Sequence, residues 1–314
     1  MPKPIAFVSR FDEVYRDNWL KVLSKTIKNE KFIDFNKIAR EDYSDVELAI
    51  VANPDPQELK KLTGLKWIQS LWAGVDQMVQ ELPENAPPIV RLVDPYLTKA
   101  MAEAVLAFSL YLARDMPIYR QQQLEKLWQQ HPLRPLYEWK IGVLGLGELG
   151  KASAALLKKV GFQVTGWSRT QKNISDIQCV KGVAGFTKLL ETSDIVVVLL
   201  PLTTKTRGLL GKEQLYQMKQ GASLINFARG PIIDTNALIE ALESRHLNHA
   251  VLDVFEKEPL PQTSSLWQNE HVTVLPHIAA PTTMETAAKI VANNIIEWRT
   301  TGKLAQTVNR HLGY

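Results

Sequence analysis

Short apolar runs alternate with amphipathic stretches along almost the whole chain. In the first third, residues 5–8, 48–51, 67–71 and 89–93 read as strands, with helices over 14–27 and 57–62. These runs are too continuously apolar for a sheet with one face in water, so they predict buried parallel strands covered by helices on both sides. The pattern repeats more clearly beyond residue 140. Strands are predicted over 141–144, 164–167, 195–200, 224–227, 250–254 and 272–275, and helices over 148–160 and 235–244, the second with Asp234 as its N-cap. Such alternation predicts α/β architecture with two doubly wound parallel sheets. A long apolar helix is predicted from 99 to 114, extended towards Trp128.

Composition narrows the class. The 314 residues suit about two domains, and 45% apolar residues can build substantial cores. The net charge of +4 is small, and Lys and Arg are dispersed with no run that would track a nucleic-acid backbone. The single cysteine, Cys179, excludes an intrachain disulfide. No leader pattern opens the chain, and its apolar stretches read as short of a bilayer span. The expectation is a soluble cytoplasmic protein that engages neither membrane nor nucleic acid.

Two sets of residues carry candidate chemistry. The first is Gly145-Leu146-Gly147-Glu148-Leu149-Gly150, between a predicted strand and a predicted helix. Gly145 allows the tight turn, Gly147 admits a pyrophosphate, and Gly150 lets helix and strand pack closely, while the amides of Glu148 and Leu149 meet the phosphate charge. The next strand ends in Gly166-Trp167-Ser168-Arg169-Thr170-Gln171-Lys172. NAD-binding domains usually place an acid there for the ribose hydroxyls. Ser168, Arg169, Thr170 and Lys172 instead offer hydrogen bonds and positive charge, so NADPH is the expected cofactor and NADH the lesser possibility. An ordinary solvated basic turn is the alternative.

The second set is Arg229, Glu258 and His277, 29 and 19 residues apart in the frames Asn226-Phe227-Ala228-Arg229-Gly230, Glu258-Pro259-Leu260-Pro261 and Pro276-His277-Ile278-Ala279-Ala280. A guanidinium can grip a substrate carboxylate with two bonds, an imidazole can protonate a carbonyl oxygen, and a carboxylate can keep that imidazole charged. Reduction of a 2-oxo acid needs these three groups. His246 and His249 are three apart with no third ligand in view, so no metal site is expected.

Together these motifs resemble the D-2-hydroxyacid dehydrogenase family, most closely its glyoxylate/hydroxypyruvate reductase branch of type A. The resemblance runs from Leu71-Trp72-Ala73-Gly74-Val75-Asp76 to Gly313-Tyr314 and is weakest over the first 60 or so residues. It implies a Rossmann-like dinucleotide domain over 98–283 and a flavodoxin-like substrate domain over 1–97, completed by 284–314 when the chain returns through a last helix. The active site would lie in the cleft between them. It implies cofactor contacts from Leu200, Pro201 and Thr206, from Phe227 and Ala228, from His277 and Ala279, and from Asp253 to the nicotinamide carboxamide. It further implies that the backbone of Ala73, Gly74 and Val75 binds the substrate carboxylate. Trp72 departs from the smaller residue the family pattern carries there, and either narrows the pocket or packs behind it. A homodimer is also implied. The wide apolar face of Val105, Leu106, Phe108, Leu110 and Leu112 is either that interface or an intrachain core. Two other readings stay open: an NAD-using phosphoglycerate- or D-lactate-type dehydrogenase, and a dinucleotide-sensing, corepressor-like binding protein.

Overall fold

The structure is a computed structural model that describes residues 3–313. It divides into two compact units, one of residues up to 97 together with those from 282 on, the other Thr98–Pro281.

The first unit is built on five parallel strands, β1 (Ile5–Ser9), β2 (Phe32–Asp34), β3 (Leu48–Ala52), β4 (Trp67–Ser70) and β5 (Ile89–Val90), in the order β2-β1-β3-β4-β5. Side chains alternate between the faces of a strand. Ile5, Phe7 and Ile50 therefore pack on one side with Trp19 and Leu23 of the helix Glu13–Thr26 and Val291 and Ile295 of the helix Met284–Thr301. Ala6, Val8 and Val51 pack on the other with Leu59 and Met78. Both faces are covered, which is why the runs are apolar throughout. The fifth strand is shorter than its apolar pattern predicts: Arg91–Asp94 leave the ladder and lead into the next helix.

The second unit carries seven parallel strands, β6 (Lys140–Leu144), β7 (Gln163–Ser168), β8 (Gln178–Lys181), β9 (Ile195–Val198), β10 (Ala222–Asn226), β11 (Leu247–Leu252) and β12 (Val272–Val274), in the order β12-β11-β10-β9-β6-β7-β8. The strand order reverses between β6 and β9, the point where doubly wound sheets open a crevice at their carboxyl edge. Ile141, Val143, Val197 and Ile225 face Leu157 of the helix Glu148–Val160, whereas Val196, Val198 and Leu224 face Leu189 and Leu238 on the opposite side. Asp234 caps the helix Thr235–Glu243 by accepting from the amides of Asn236 and Ala237, both at 3.0 Å.

The long helix departs from expectation. It runs Pro95–Ala113 and does not continue to Trp128. Asp115 adopts φ +55°, and a new helix, Met116–Glu125, starts with Pro117 in its first turn. A left-handed residue ends the helical hydrogen-bond ladder, and proline is tolerated only where no amide is needed. At 19 residues this helix is also long and apolar enough to span a bilayer by length and composition, contrary to the sequence expectation. Met101, Val105 and Leu112, however, are buried in the core of the second unit, with Leu106, Phe108 and Leu110 partly buried against it.

Candidate active site

The turns at the carboxyl ends of β6, β7, β9, β10 and β11 carry most of the candidate residues. After β6, Gly145 sits at φ +106°, and a Cβ there would lie 2.7 Å from the Leu199 carbonyl oxygen. Only glycine fits where the turns after β6 and β9 press backbone to backbone. A Cβ on Gly150 would lie 1.7 Å from the Gly145 oxygen, so helix and turn also touch directly. Gly147 differs, because a Cβ there would meet nothing within 4 Å. It is the N-cap of the 13-residue helix Glu148–Val160, and no side chain caps that end. Open space above unsatisfied helix amides fits the pyrophosphate of a dinucleotide.

After β7, Ser168 is buried and donates its hydroxyl to the Thr170 carbonyl at 2.6 Å, while Arg169, Thr170 and Lys172 are exposed. The serine hydroxyl thus fastens the turn that presents Arg169 and Thr170. In the loop after β9, Leu200 is buried. Thr206 donates to the Pro201 carbonyl at 2.7 Å and accepts the Thr203 amide at 2.8 Å, so its hydroxyl fastens the loop.

At the end of β10, the Asn226 side chain accepts the Ala228 amide at 3.1 Å and donates to the Arg229 carbonyl at 3.0 Å, bracketing the turn that presents Arg229. Arg229 also donates from Nη1 to the Ala228 carbonyl at 2.8 Å. A Cβ on Gly230 would lie 2.0 Å from the backbone of Phe255, so this turn is seated against the segment that follows β11. Phe227 and Ala228 are buried beneath it.

That segment supplies Glu258, and the loop after β12 supplies His277. His277 Nδ1 lies 2.7 Å from Glu258 Oε2, and the other Glu258 oxygen accepts the Phe255 amide at 2.9 Å. A carboxylate only accepts, so Nδ1 carries the proton and the imidazole is presented by its Nε2 edge. The carboxylate raises the His277 pKa above its ordinary value through this hydrogen bond; burial and the positive charge of Arg229 oppose it. Burial alone would raise Glu258, but the His277 hydrogen bond, the Phe255 amide and the charges of His277 and Arg229 hold it below its usual range. Asp253, immediately after β11, is buried and accepts the amides of Ile278 at 2.7 Å and Ala279 at 3.0 Å. The indole of Trp267 donates to the Pro261 carbonyl at 2.9 Å and steadies the turn beyond Glu258.

The substrate-binding candidates Ala73, Gly74 and Val75 belong to the first unit, between β4 and the short helix Asp76–Glu81. The Val75 side chain is buried in that unit's core. Trp72 donates from its indole to Asn53 Oδ1 at 3.0 Å and meets Phe11 edge-on, so it is anchored across the carboxyl ends of β3 and β4. His249 packs against Tyr111, bonds the Thr273 hydroxyl at 2.9 Å, and is pushed down by burial to about 4, so it is neutral at physiological pH. Asn226 was not singled out from sequence, although an amide ending a strand two residues before a buried alanine amide was the available signal.

A Rossmann-ordered sheet with an open glycine turn, and an imidazole–carboxylate pair beyond its carboxyl edge, defines the class of dinucleotide-linked dehydrogenase folds. Comparison with known proteins makes this particular. The family profile described as "D-isomer specific 2-hydroxyacid dehydrogenase, NAD binding domain" matches residues 106–279. The chain is 37% identical over 265 residues to glyoxylate/hydroxypyruvate reductase A of Yersinia enterocolitica, covering 82% of this chain and 84% of that protein. Among solved structures, a D-isomer specific 2-hydroxyacid dehydrogenase from Xanthobacter autotrophicus in complex with NADPH and MES superposes with a TM-score of 0.92 at 37% identity over 100% of both chains. An NADPH-dependent glyoxylate/hydroxypyruvate reductase from Sinorhizobium meliloti, in complex with NADP and sulfate, gives 0.91 at 28% identity over 99% of this chain and 100% of that one. The chain belongs to the D-isomer specific 2-hydroxyacid dehydrogenase family.

Proposed function

We propose that this protein reduces small 2-oxo acids with NADPH, taking glyoxylate to glycolate and hydroxypyruvate to D-glycerate. The observation that carries the reading is the 2.7 Å His277–Glu258 pair in the same unit as an open dinucleotide turn. NADPH supplies the hydride that reaches the substrate's carbonyl carbon. Gly145, Gly147 and Gly150 with the amides of Glu148 and Leu149 hold its pyrophosphate, and Arg169, Thr170 and Lys172 meet its 2′-phosphate beside the Ser168 turn. The Leu200–Thr206 loop, Phe227, Ala228 and Ala279 complete its binding site.

Arg229 binds the substrate carboxylate and orients the carbonyl. Negative charge builds on the carbonyl oxygen as the carbon is reduced, and the imidazolium Nε2–H of His277 donates the proton that completes the hydroxyl. Glu258 keeps the imidazole protonated and aimed. The charge of Arg229 works against that protonation, so the carboxylate has to outweigh it.

The protein is further proposed to act as a cytoplasmic homodimer. Support comes from the family resemblance and from a stretch of exposed apolar side chains, Leu124, Leu127, Trp128 and Leu133, the tryptophan being 95% exposed. Light scattering of the eluted protein tests the dimer. Initial rates with a panel of 2-oxo acids and both nicotinamide dinucleotides test the activity. Turnover of glyoxylate or hydroxypyruvate with NADPH well above NADH supports the reading. Turnover only of bulkier acids with NADH would replace it with a D-lactate- or phosphoglycerate-type enzyme.

A further inference from the structure

His277 carries a side chain yet sits at φ +56°, in the left-handed region that such residues rarely occupy. A conformation of this kind persists only where its surroundings over-determine it. On the amino side, the Leu275 amide is bonded to the Leu252 carbonyl at 2.9 Å, which ties the loop to the end of β11. On the carboxyl side, the next two amides, Ile278 and Ala279, both enter one carboxylate, Asp253 Oδ1 at 2.7 Å and Oδ2 at 3.0 Å. Asp253 is itself anchored: it is 2% exposed, and its own amide is bonded to the Asn226 carbonyl at 3.1 Å, at the end of β10 where the turn that presents Arg229 begins. Successive amides around a left-handed residue form a concave anion-binding nest. Here the anion is a side chain of the same protein.

We propose that Asp253 is the positioning residue for His277: its carboxylate holds the two amides after the histidine and thereby fixes the backbone from which the imidazole reaches Glu258. The inference rests on the reading of His277 as the proton donor. It differs from a role for Asp253 in holding the nicotinamide carboxamide, because it acts within the protein alone. The charged groups facing His277, which lies in the loop after β12, are Glu258 from the segment after β11, Asp253 at the end of that strand, and Arg229 from the turn after β10.

The test uses dinucleotide-free protein carrying labelled histidine, with the His277 imidazole followed against pH by nuclear magnetic resonance. In the native protein the Nδ1 proton should resonate far downfield, and the ring should titrate above 6.5. Asp253→Asn puts an NH₂ against one of the two amides. Asp253→Glu keeps the charge but displaces it by a methylene. Both variants should lose the downfield proton and titrate lower, and kcat should fall by ~10²-fold, the scale of a small misplacement of a reacting group. Native-like His277 signals in both variants would leave only the carboxamide role and overturn the proposal. So would a loss in the Asn variant with full retention in the Glu variant, which would make the effect one of charge alone. If neither variant folds, hydrogen exchange in the native protein decides: protected Ile278 and Ala279 amides sustain the proposal, and exchange at the rate of free amides ends it. The resonance and exchange readings involve no substrate, so a protein that shows them but reduces no 2-oxo acid would sink the proposed activity and leave the positioning intact.

Discussion

Replacing Glu258 by Gln isolates what the carboxylate does. The amide oxygen can still accept from His277 Nδ1, so the change removes charge while keeping an acceptor of the same shape. In the native protein the carboxylate holds the histidine above its ordinary 6.5 against burial and Arg229. Without it, burial and Arg229 lower the value and only the more weakly acting Asp253 raises it, so His277 should titrate lower, towards or below the ordinary ~6.5, where a histidine at about pH 7.5 is only ~10% protonated. The variant's rate of 2-oxo acid reduction at that pH should therefore fall, by at most ~10-fold from protonation alone, and much of the loss should return at about pH 5.5, where the ring is ~90% charged. The assay is kcat/KM for glyoxylate across this range in both proteins.

The same pair sets a stability signature. The raised pKa of His277 contributes stability that is present below 6.5 and lost as pH rises through the folded-state value. The lowered pKa of Glu258 contributes stability that is present above 4.5 and lost as pH falls through its folded-state value. The native advantage over the Gln variant should be widest between those two values. With the side chains 53% and 34% exposed, solvent screening limits it to ~1 kcal/mol or less. An equal rate defect at both pH values, with no shift of the profile, would refute the claim that Glu258 acts by holding the proton on His277.

Other substitutions probe the remaining parts. Gly150→Ala drives a methyl into the Gly145 carbonyl and should destabilise by ~1–3 kcal/mol or more, seen as a melting temperature several degrees lower. Gly147→Ala meets open space, so its melting temperature should hold while the Kd for NADPH rises, measured by fluorescence titration. Arg229→Lys keeps the charge but loses the planar fork, and kcat/KM for glyoxylate should drop by roughly 10- to 10²-fold, the worth of a charged hydrogen bond. Ser168→Asp places a carboxylate at the β7 end and should raise KM for NADPH by roughly 10-fold or more relative to NADH.

Much of this was legible from local pattern. The helix Glu148–Val160 and the strands around it are bounded by glycines and have an unbroken apolar core face, so sequence and structure agree closely there. β2 and β8 were not legible because they sit at sheet edges, where one side of the strand goes unpaired and polarity is mixed; Gln178 and Lys181 of β8 are exposed. The break at Asp115 was hidden by apolar residues that continue on both sides, although Pro117 marked it. At the site, Arg229, Glu258 and His277 could be named from their frames. The Asp253 carboxylate binding two amides 25 and 26 residues on was invisible, because such backbone contacts leave no signature in residue type.

The central claim is that His277 donates the proton to the reduced carbonyl. Single-turnover oxidation of bound NADPH by glyoxylate in the His277→Ala protein tests it most directly. A fall of ~10²–10⁴-fold with dinucleotide affinity intact is the expected result. A rate equal to that of the native protein would contradict it.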